Sequence, residues 1–164
     1  MSDEKPPATG PSAVPPSVAF ALSRLGFGVS RALAQGLKPI GIEPRHFGLL
    51  RALLFSEGES QRAIGDSMSI PANRMVALVD DLEALGAVKR AKHPTDRRAY
   101  ALSLTPKGRK LFESAFEVAR SIEDRLTENL SDRDKKQLLD LLGQLDRLTD
   151  VPEGVHPGLA VGPT

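Results

Sequence analysis

The 164-residue chain has no cysteine and no tryptophan, one tyrosine and six phenylalanines. Without cysteine there can be no disulfide framework, thiolate nucleophile, Cys-ligated zinc or thiol redox switch, and such a composition suits a reducing, cytoplasmic setting. With so few aromatics the core has to be built from Leu, Val, Ile and Ala, which suits helix packed on helix. Histidine is scarce too: His46, His93 and His156 stand far apart and in no metal-ligand spacing. No phosphate-binding glycine loop, nucleophile elbow or paired-acid constellation occurs, so the reading is of a non-enzyme with no metal and no cofactor. Long apolar runs are missing as well. The longest stretch without charge, Pro6 to Ser23, contains five prolines and is too interrupted to span a membrane or to form the apolar part of a targeting signal.

Forty per cent apolar and 26% charged residues are what an ordinary globular domain contains. Residues 1–16 and 151–164 are rich in Pro, Gly, Ser and Ala without periodicity, and read as poorly ordered tails around one domain at 17–150. A net charge of +1 argues at first against a polyanionic partner, but the charge is unevenly spread. Between Ala87 and Lys110 stand Lys89, Arg90, Lys92, Arg97, Arg98, Lys107, Arg109 and Lys110 against Asp96 alone, a local net of +7 that leaves −6 for the rest.

Apolar spacing predicts six helices and one hairpin. Ser17 caps a helix with Val18, Leu22, Leu25, Val29 and Leu33 on one stripe, ending before Pro39. Pro44 opens a second, with Phe47, Leu50, Leu53 and Leu54, that stops by Gly58. A two-turn helix from Ser60 to about Ser67, a turn at Met68-Ser69-Ile70 and a helix from Pro71 to Leu85 have the form of a helix-turn-helix. In the last of these Met75, Leu78, Val79, Leu82 and Leu85 make the buried side, which leaves Ala72, Asn73, Arg74, Val76 and Ala77 outward. Ala87–Ala91 and Ala99–Leu104 read as two strands around His93-Pro94-Thr95-Asp96, a wing. Thr105 and Pro106 open a long helix that runs to about Asn129, and Ser131 with Asp134 caps a last one. Its leucines, Leu138, Leu139, Leu141, Leu142, Leu145 and Leu148, exceed one stripe, so the terminal helices are expected to interleave with those of a second subunit.

Three short motifs sharpen this: Leu82-Glu83-Ala84-Leu85-Gly86, Asp96-Arg97-Arg98, and Leu104-Thr105-Pro106-Lys107-Gly108. In that order and spacing, within Ile64 to Phe112, they resemble the MarR family of bacterial transcription regulators. The resemblance implies a mainly helical winged helix-turn-helix with a small β-hairpin. It implies a DNA-binding lobe at about 44–105 and dimerisation helices at about 17–38 and 105–150. It further implies a homodimer, acting as a repressor on pseudo-palindromic double-stranded DNA, and a small anionic or phenolic effector that releases it. No membrane partner is implied.

On that reading Asn73 and Arg74 are candidates for base edges, Asn suiting adenine and Arg guanine, and the alternative is that both are simply solvated. Ala72 and Val76 could meet thymine methyls. Arg98 is the candidate for the minor groove, where negative potential concentrates, with Asp96 two residues away to orient it and Arg97 toward phosphate. Lys89, Arg90, Lys92, Lys107 and Arg109 are expected at phosphates. Pro71 and Ala77 depart from the family pattern, which often has Ser and Arg there, so direct base readout is expected to be sparse. His46 and Arg51 could face an anionic effector, although a lone His beside an apolar stripe is more often a satisfied structural group. A second reading is a winged-helix protein-interaction or adaptor module without DNA binding. It is favoured by the low polarity of the recognition face and opposed by the basic hairpin.

Overall fold

Most helices in this chain start where a nearby side chain can satisfy the orphan N–H groups of a first turn. In the computed structural model, which describes residues 17–95 and 99–146, the Ser17 hydroxyl accepts from the Phe20 N–H and begins α1 (Val18–Leu37). A 3-10 turn at Lys38–Ile40 follows, and Glu43 and His46 form a reciprocal capping box at the head of α2 (Pro44–Phe55). Ser60 caps α3 (Gln61–Ser67), while α4 (Ala72–Ala84) begins after Pro71 with no side-chain cap. Strands β1 (Val88–Lys92) and β2 (Tyr100–Leu104) pair antiparallel with Val88 opposite Leu104 and Lys92 opposite Tyr100. Thr105 caps α5 (Pro106–Leu126), and Ser131 exchanges hydrogen bonds with Asp134 at the start of α6 (Asp132–Asp146).

Six helices and one hairpin are as the spacing predicts, with ends that differ by a few residues. The recognition helix starts and stops one residue inside the expected span, and the hairpin leaves Ala87 in the turn before it. The long helix stops at Leu126, and Thr127 is its C-cap, with its N–H and hydroxyl both donating to the Glu123 carbonyl (3.0 and 2.9 Å). Leu148 and the two tails, 1–16 and 151–164, lie outside the described residues.

The core sits under the helix-turn-helix. Leu37 of α1, Leu49, Leu50 and Leu53 of α2, Ile64 of α3, Met75, Val79 and Leu82 of α4, and Leu102 of β2 are fully enclosed. Each such side chain contributes roughly 1.5–3 kcal/mol of burial, so this cluster fixes how α2, α3, α4 and the hairpin meet. Leu85, expected on the buried side, is only half-buried. The turn between α3 and α4 is made by Ser69, which adopts a left-handed φ of 55°, with Ile70 N–H bonding back to the Gly65 carbonyl (2.9 Å).

One pairing had no visible signal in the sequence. Gly58 N–H donates to the Leu102 carbonyl (2.9 Å), Leu102 N–H donates to the Glu59 carbonyl (3.1 Å), and Ser60 bridges Ala101. The segment before α3 thus covers the free edge of β2 and braces a hairpin that alone would be marginal.

The hairpin is fastened to the long helix at its root. Gly86, at φ +68°, ends α4 in a paired turn: its N–H bonds to the Glu83 carbonyl and that of Ala87 to the Leu82 carbonyl (both 2.8 Å). The Thr105 hydroxyl donates to the Gly86 carbonyl (2.7 Å) and accepts from the Gly108 N–H (3.0 Å), while Thr105 N–H donates to the Ala87 carbonyl (3.0 Å). Gly108 lies flat against that carbonyl, and a Cβ there would overlap its oxygen. The Leu-Glu-x-x-Gly and Leu-Thr-x-x-Gly motifs are the two halves of this joint.

By contrast, α6 has no buried residue, and α1 buries only Leu37. Val18, Leu22 and Leu25 of the stripe expected on α1 are exposed, as are Leu138, Leu139, Leu141 and Leu145 of α6, whereas Leu33, further along α1, packs against the core.

Gly108→Ala is therefore expected to lower stability by about 3 kcal/mol or more, because backbone, not a pliable side chain, must move. Urea unfolding measures this, and a variant as stable as the parent would contradict the joint.

Candidate nucleic-acid interface

The exposed side of α4 is set by its buried side. Met75, Leu78, Val79 and Leu82 anchor the helix, and Ala72, Asn73, Arg74, Val76 and Ala77 are all exposed at its N-terminal half. With Pro71 as N-cap, no side chain blocks the first-turn N–H groups, and no acid lies in that turn. A helix start of this kind presents donors and a positive dipole end outward, as a polyanion requires.

Beside it stands the hairpin. Lys89 and Lys92 on β1 are exposed, as are Lys107 and Lys110 at the start of α5. Two other cations of the basic segment are placed differently from the expectation. Arg90 is turned inward, its Nη1 paired with Asp80 (2.7 Å) and with Glu83, and its Nε donating to Gln61 (3.0 Å). Arg109 pairs with Glu57 (2.6 Å). Neither guanidinium stands alone over the surface, because acids 7 to 52 residues away in sequence are brought to it by the turn at Gly86 and the loop before α3. Asp96, Arg97 and Arg98, the candidate wing tip, lie outside the described residues.

Between the two surfaces, α3, α4 and β2 leave an open groove of about 470 Å³ lined by Gln61, Arg62, Asp66, Met75, Val76 and Tyr100. The recognition side of α4 and the hairpin therefore bound one concave, mixed polar and apolar face.

The family model of the MarR family matches residues 40–99, which hold α2 to α4 and β1. A protein of Thauera aromatica named for transcriptional regulation of the hcr operon is 31% identical over 107 residues, 65% of this chain, and the match spans 64% of its length. The transcriptional repressor CouR, solved bound to a 23-mer DNA duplex, is 32% identical with a TM-score of 0.72, covering 80% of this chain and 93% of that one. The chain belongs to the MarR family. CouR from Rhodococcus jostii RHA1 bound to p-coumaroyl-CoA is likewise similar, at 31% identity and a TM-score of 0.68, covering 86% of this chain and 99% of that one. MarR-family membership makes the chain one of a group of transcription regulators, with the mainly helical winged helix-turn-helix fold described above.

In this MarR-family chain the two candidate effector residues are placed as follows. His46 is buried, and its Nδ1 accepts the Glu43 N–H (3.0 Å), so in the neutral ring the proton is on Nε2, facing Asp81 Oδ2 (3.3 Å). Arg45 reaches the same carboxylate (3.4 Å). Both ring nitrogens thus have partners within the chain, one capping α2 and one facing Asp81 of α4. Arg51 is exposed on α2. An open groove of about 380 Å³ runs between α1 and α5, lined by Ala32, Gly36, Glu117, Val118, Ile122 and Arg125, and neither His46 nor Arg51 borders it. Among the described residues no group of His, Cys, Asp and Glu could hold a metal ion, and no helix is long and apolar enough to cross a membrane.

His46→Ala is expected to destabilise the fold by about 1–3 kcal/mol, the cost of stranding a part-buried donor and acceptor. The loss should appear in urea unfolding. An unchanged midpoint would contradict the capping and tying roles.

Proposed function

We propose that the chain is a sequence-specific transcription repressor that binds a pseudo-palindromic operator as a homodimer and is released by a small anionic or phenolic effector. The observation that carries this reading is the exposed, uncapped N-terminal half of α4 standing beside a hairpin whose Lys89 and Lys92 face solvent. Helix and hairpin together offer a major-groove reader with a phosphate-binding flank.

In this account residues 44–105 form the DNA-binding lobe, and helices within 17–38 and 105–150 form the dimer. The outward apolar side chains of α1 and α6, among them Phe20, Phe27, Leu138 and Leu139, support the second part, since contiguous exposed apolar faces call for a partner. Two-fold symmetry then sets the recognition helices roughly 34 Å apart, one turn of the duplex. Asn73 and Arg74 read base edges, and Ala72 and Val76 meet thymine methyls. Lys89, Lys92, Lys107 and Lys110 hold phosphates. Arg98 enters the minor groove with Asp96 orienting it and Arg97 on phosphate, a role argued from sequence alone.

CouR is solved with a DNA duplex and with p-coumaroyl-CoA, a molecule both phenolic and anionic. That supports an effector of the same character here, and the open groove between α1 and α5, with Arg125 at its wall, is our candidate for where it binds. Occupying it would bias the dimer toward arrangements whose lobes no longer match the groove spacing. The protein carries no catalytic activity in this account and works in the cytoplasm, where its DNA is.

Titration against random-sequence duplex DNA tests the reading. Affinity should fall steeply as salt rises, and Lys89→Ala or Lys92→Ala should each reduce the log–log slope by about one per subunit. A salt-independent or absent interaction would favour the adaptor reading. Leu139→Asp, on the exposed face of α6, should convert the dimer to monomers in sedimentation and weaken DNA binding with it. A parent protein that sediments as a monomer would contradict the two-fold arrangement.

A further inference from the structure

Arg90 stands where three elements meet. Its neighbours Lys89 and Ala91 on β1 are exposed, yet its own side chain is only 18% exposed. Nε donates to Gln61 Oε1 at the head of α3 (3.0 Å), and Nη1 pairs with Asp80 (2.7 Å) and Glu83 on α4. Nη2 lies 3.4 Å from the Val76 carbonyl, and the Arg90 N–H donates to Glu83 Oε1 (3.0 Å). Glu83 thus grips both the strand backbone and the guanidinium. A planar guanidinium held at several of its donors is fixed in direction as well as in place.

A two-stranded hairpin takes its orientation from what it packs against. The root of this one is fixed to α5 by Thr105, and the edge of β2 to residues 58–60, but the polar tie from β1 to the recognition helix is Arg90. The guanidinium also offsets two carboxylates, Asp80 and Glu83, that sit beneath a face meant for a polyanion.

We propose that Arg90, clamped by Glu83, Asp80 and Gln61, is a positioning residue that sets the angle of the wing to α4 so that both engage the duplex at once. It is not itself a phosphate contact. This rests on the DNA-binding reading above. It makes Glu83, an acid in a DNA-binding lobe, a residue that supports binding, which is opposite to what charge alone predicts.

The test is a double-mutant cycle on a duplex selected by the parent protein from a random-sequence library, run across a salt series, with urea unfolding of every variant. Glu83→Ala is expected to lose about tenfold in affinity, the worth of roughly one well-placed contact, although it removes a negative charge. Arg90→Met should lose a similar factor with the parent's salt slope, and the double variant should lose no more than Arg90→Met alone. Tighter or unchanged binding by Glu83→Ala would overturn the proposal. So would an Arg90→Met slope reduced by about one per subunit, the signature of a lost phosphate contact. Should Arg90→Met not fold, Glu83→Gln and Arg90→Lys decide: positioning predicts weaker binding by both at the parent slope, and a phosphate contact predicts a tighter Glu83→Gln and an unchanged Arg90→Lys. A parent protein that selects and holds no duplex at low salt overturns the DNA-binding reading and this role together. Parent binding with unaltered variants overturns only the positioning role.

Discussion

The carbonyl of Ala87 is the point on which the two halves of the subunit turn. It accepts the Thr105 N–H and lies against the bare Cα of Gly108, while the Thr105 hydroxyl closes the neighbouring Gly86 carbonyl. Recognition helix and hairpin lie on one side of this joint and the long helix on the other. Because the contact is backbone on backbone, it has little freedom to slide, and a movement of α5 must carry the hairpin root with it. That couples the position of α5 mechanically to the hairpin beside the recognition helix.

Charge is arranged with the same economy. A chain of net +1 cannot rely on a broadly positive surface, so the position of each cation matters more than their number. Arg90, itself largely enclosed, is consumed in a cluster with Asp80 and Glu83 that ties the hairpin to α4, and Arg109 pairs with Glu57 at the surface. The exposed lysines around them, Lys89, Lys92, Lys107 and Lys110, then occupy a rigid platform. Structural arginines and surface lysines follow their chemistry: the planar, forked group makes the fixed contacts, and the flexible ammonium group faces solvent.

Much of the fold could be read directly. Ser17, Ser60, Thr105 and Ser131 announce helix starts through local hydrogen bonds three residues long, and apolar period gives each buried face, so these features need no knowledge of the tertiary structure. The bracing segment at Gly58–Ser60 was not legible, because a pairing so short shows no alternation and its partner lies some 40 residues on. The inward turn of Arg90 was equally hidden. Its charge placed it with the lysines, whereas its partners come from α3 and α4, and only the reversal at Gly86 brings Glu83 beneath it. His46 stood between two readings in the sequence, and the proximity of Asp81 on another helix favours the structural one. Exposed leucines on α6 were legible as a surplus of apolar surface, since one subunit has nothing with which to cover them.

Two such lobes, related by a two-fold axis, are proposed to grip one face of a duplex. Hydroxyl-radical footprinting of the assembled protein on a selected duplex examines it most directly. The account predicts paired, symmetric zones of backbone protection about one helical turn apart on the same face, with further protection in the flanking minor grooves. A single unsymmetrical zone, or cleavage indistinguishable from that of naked DNA, would contradict it.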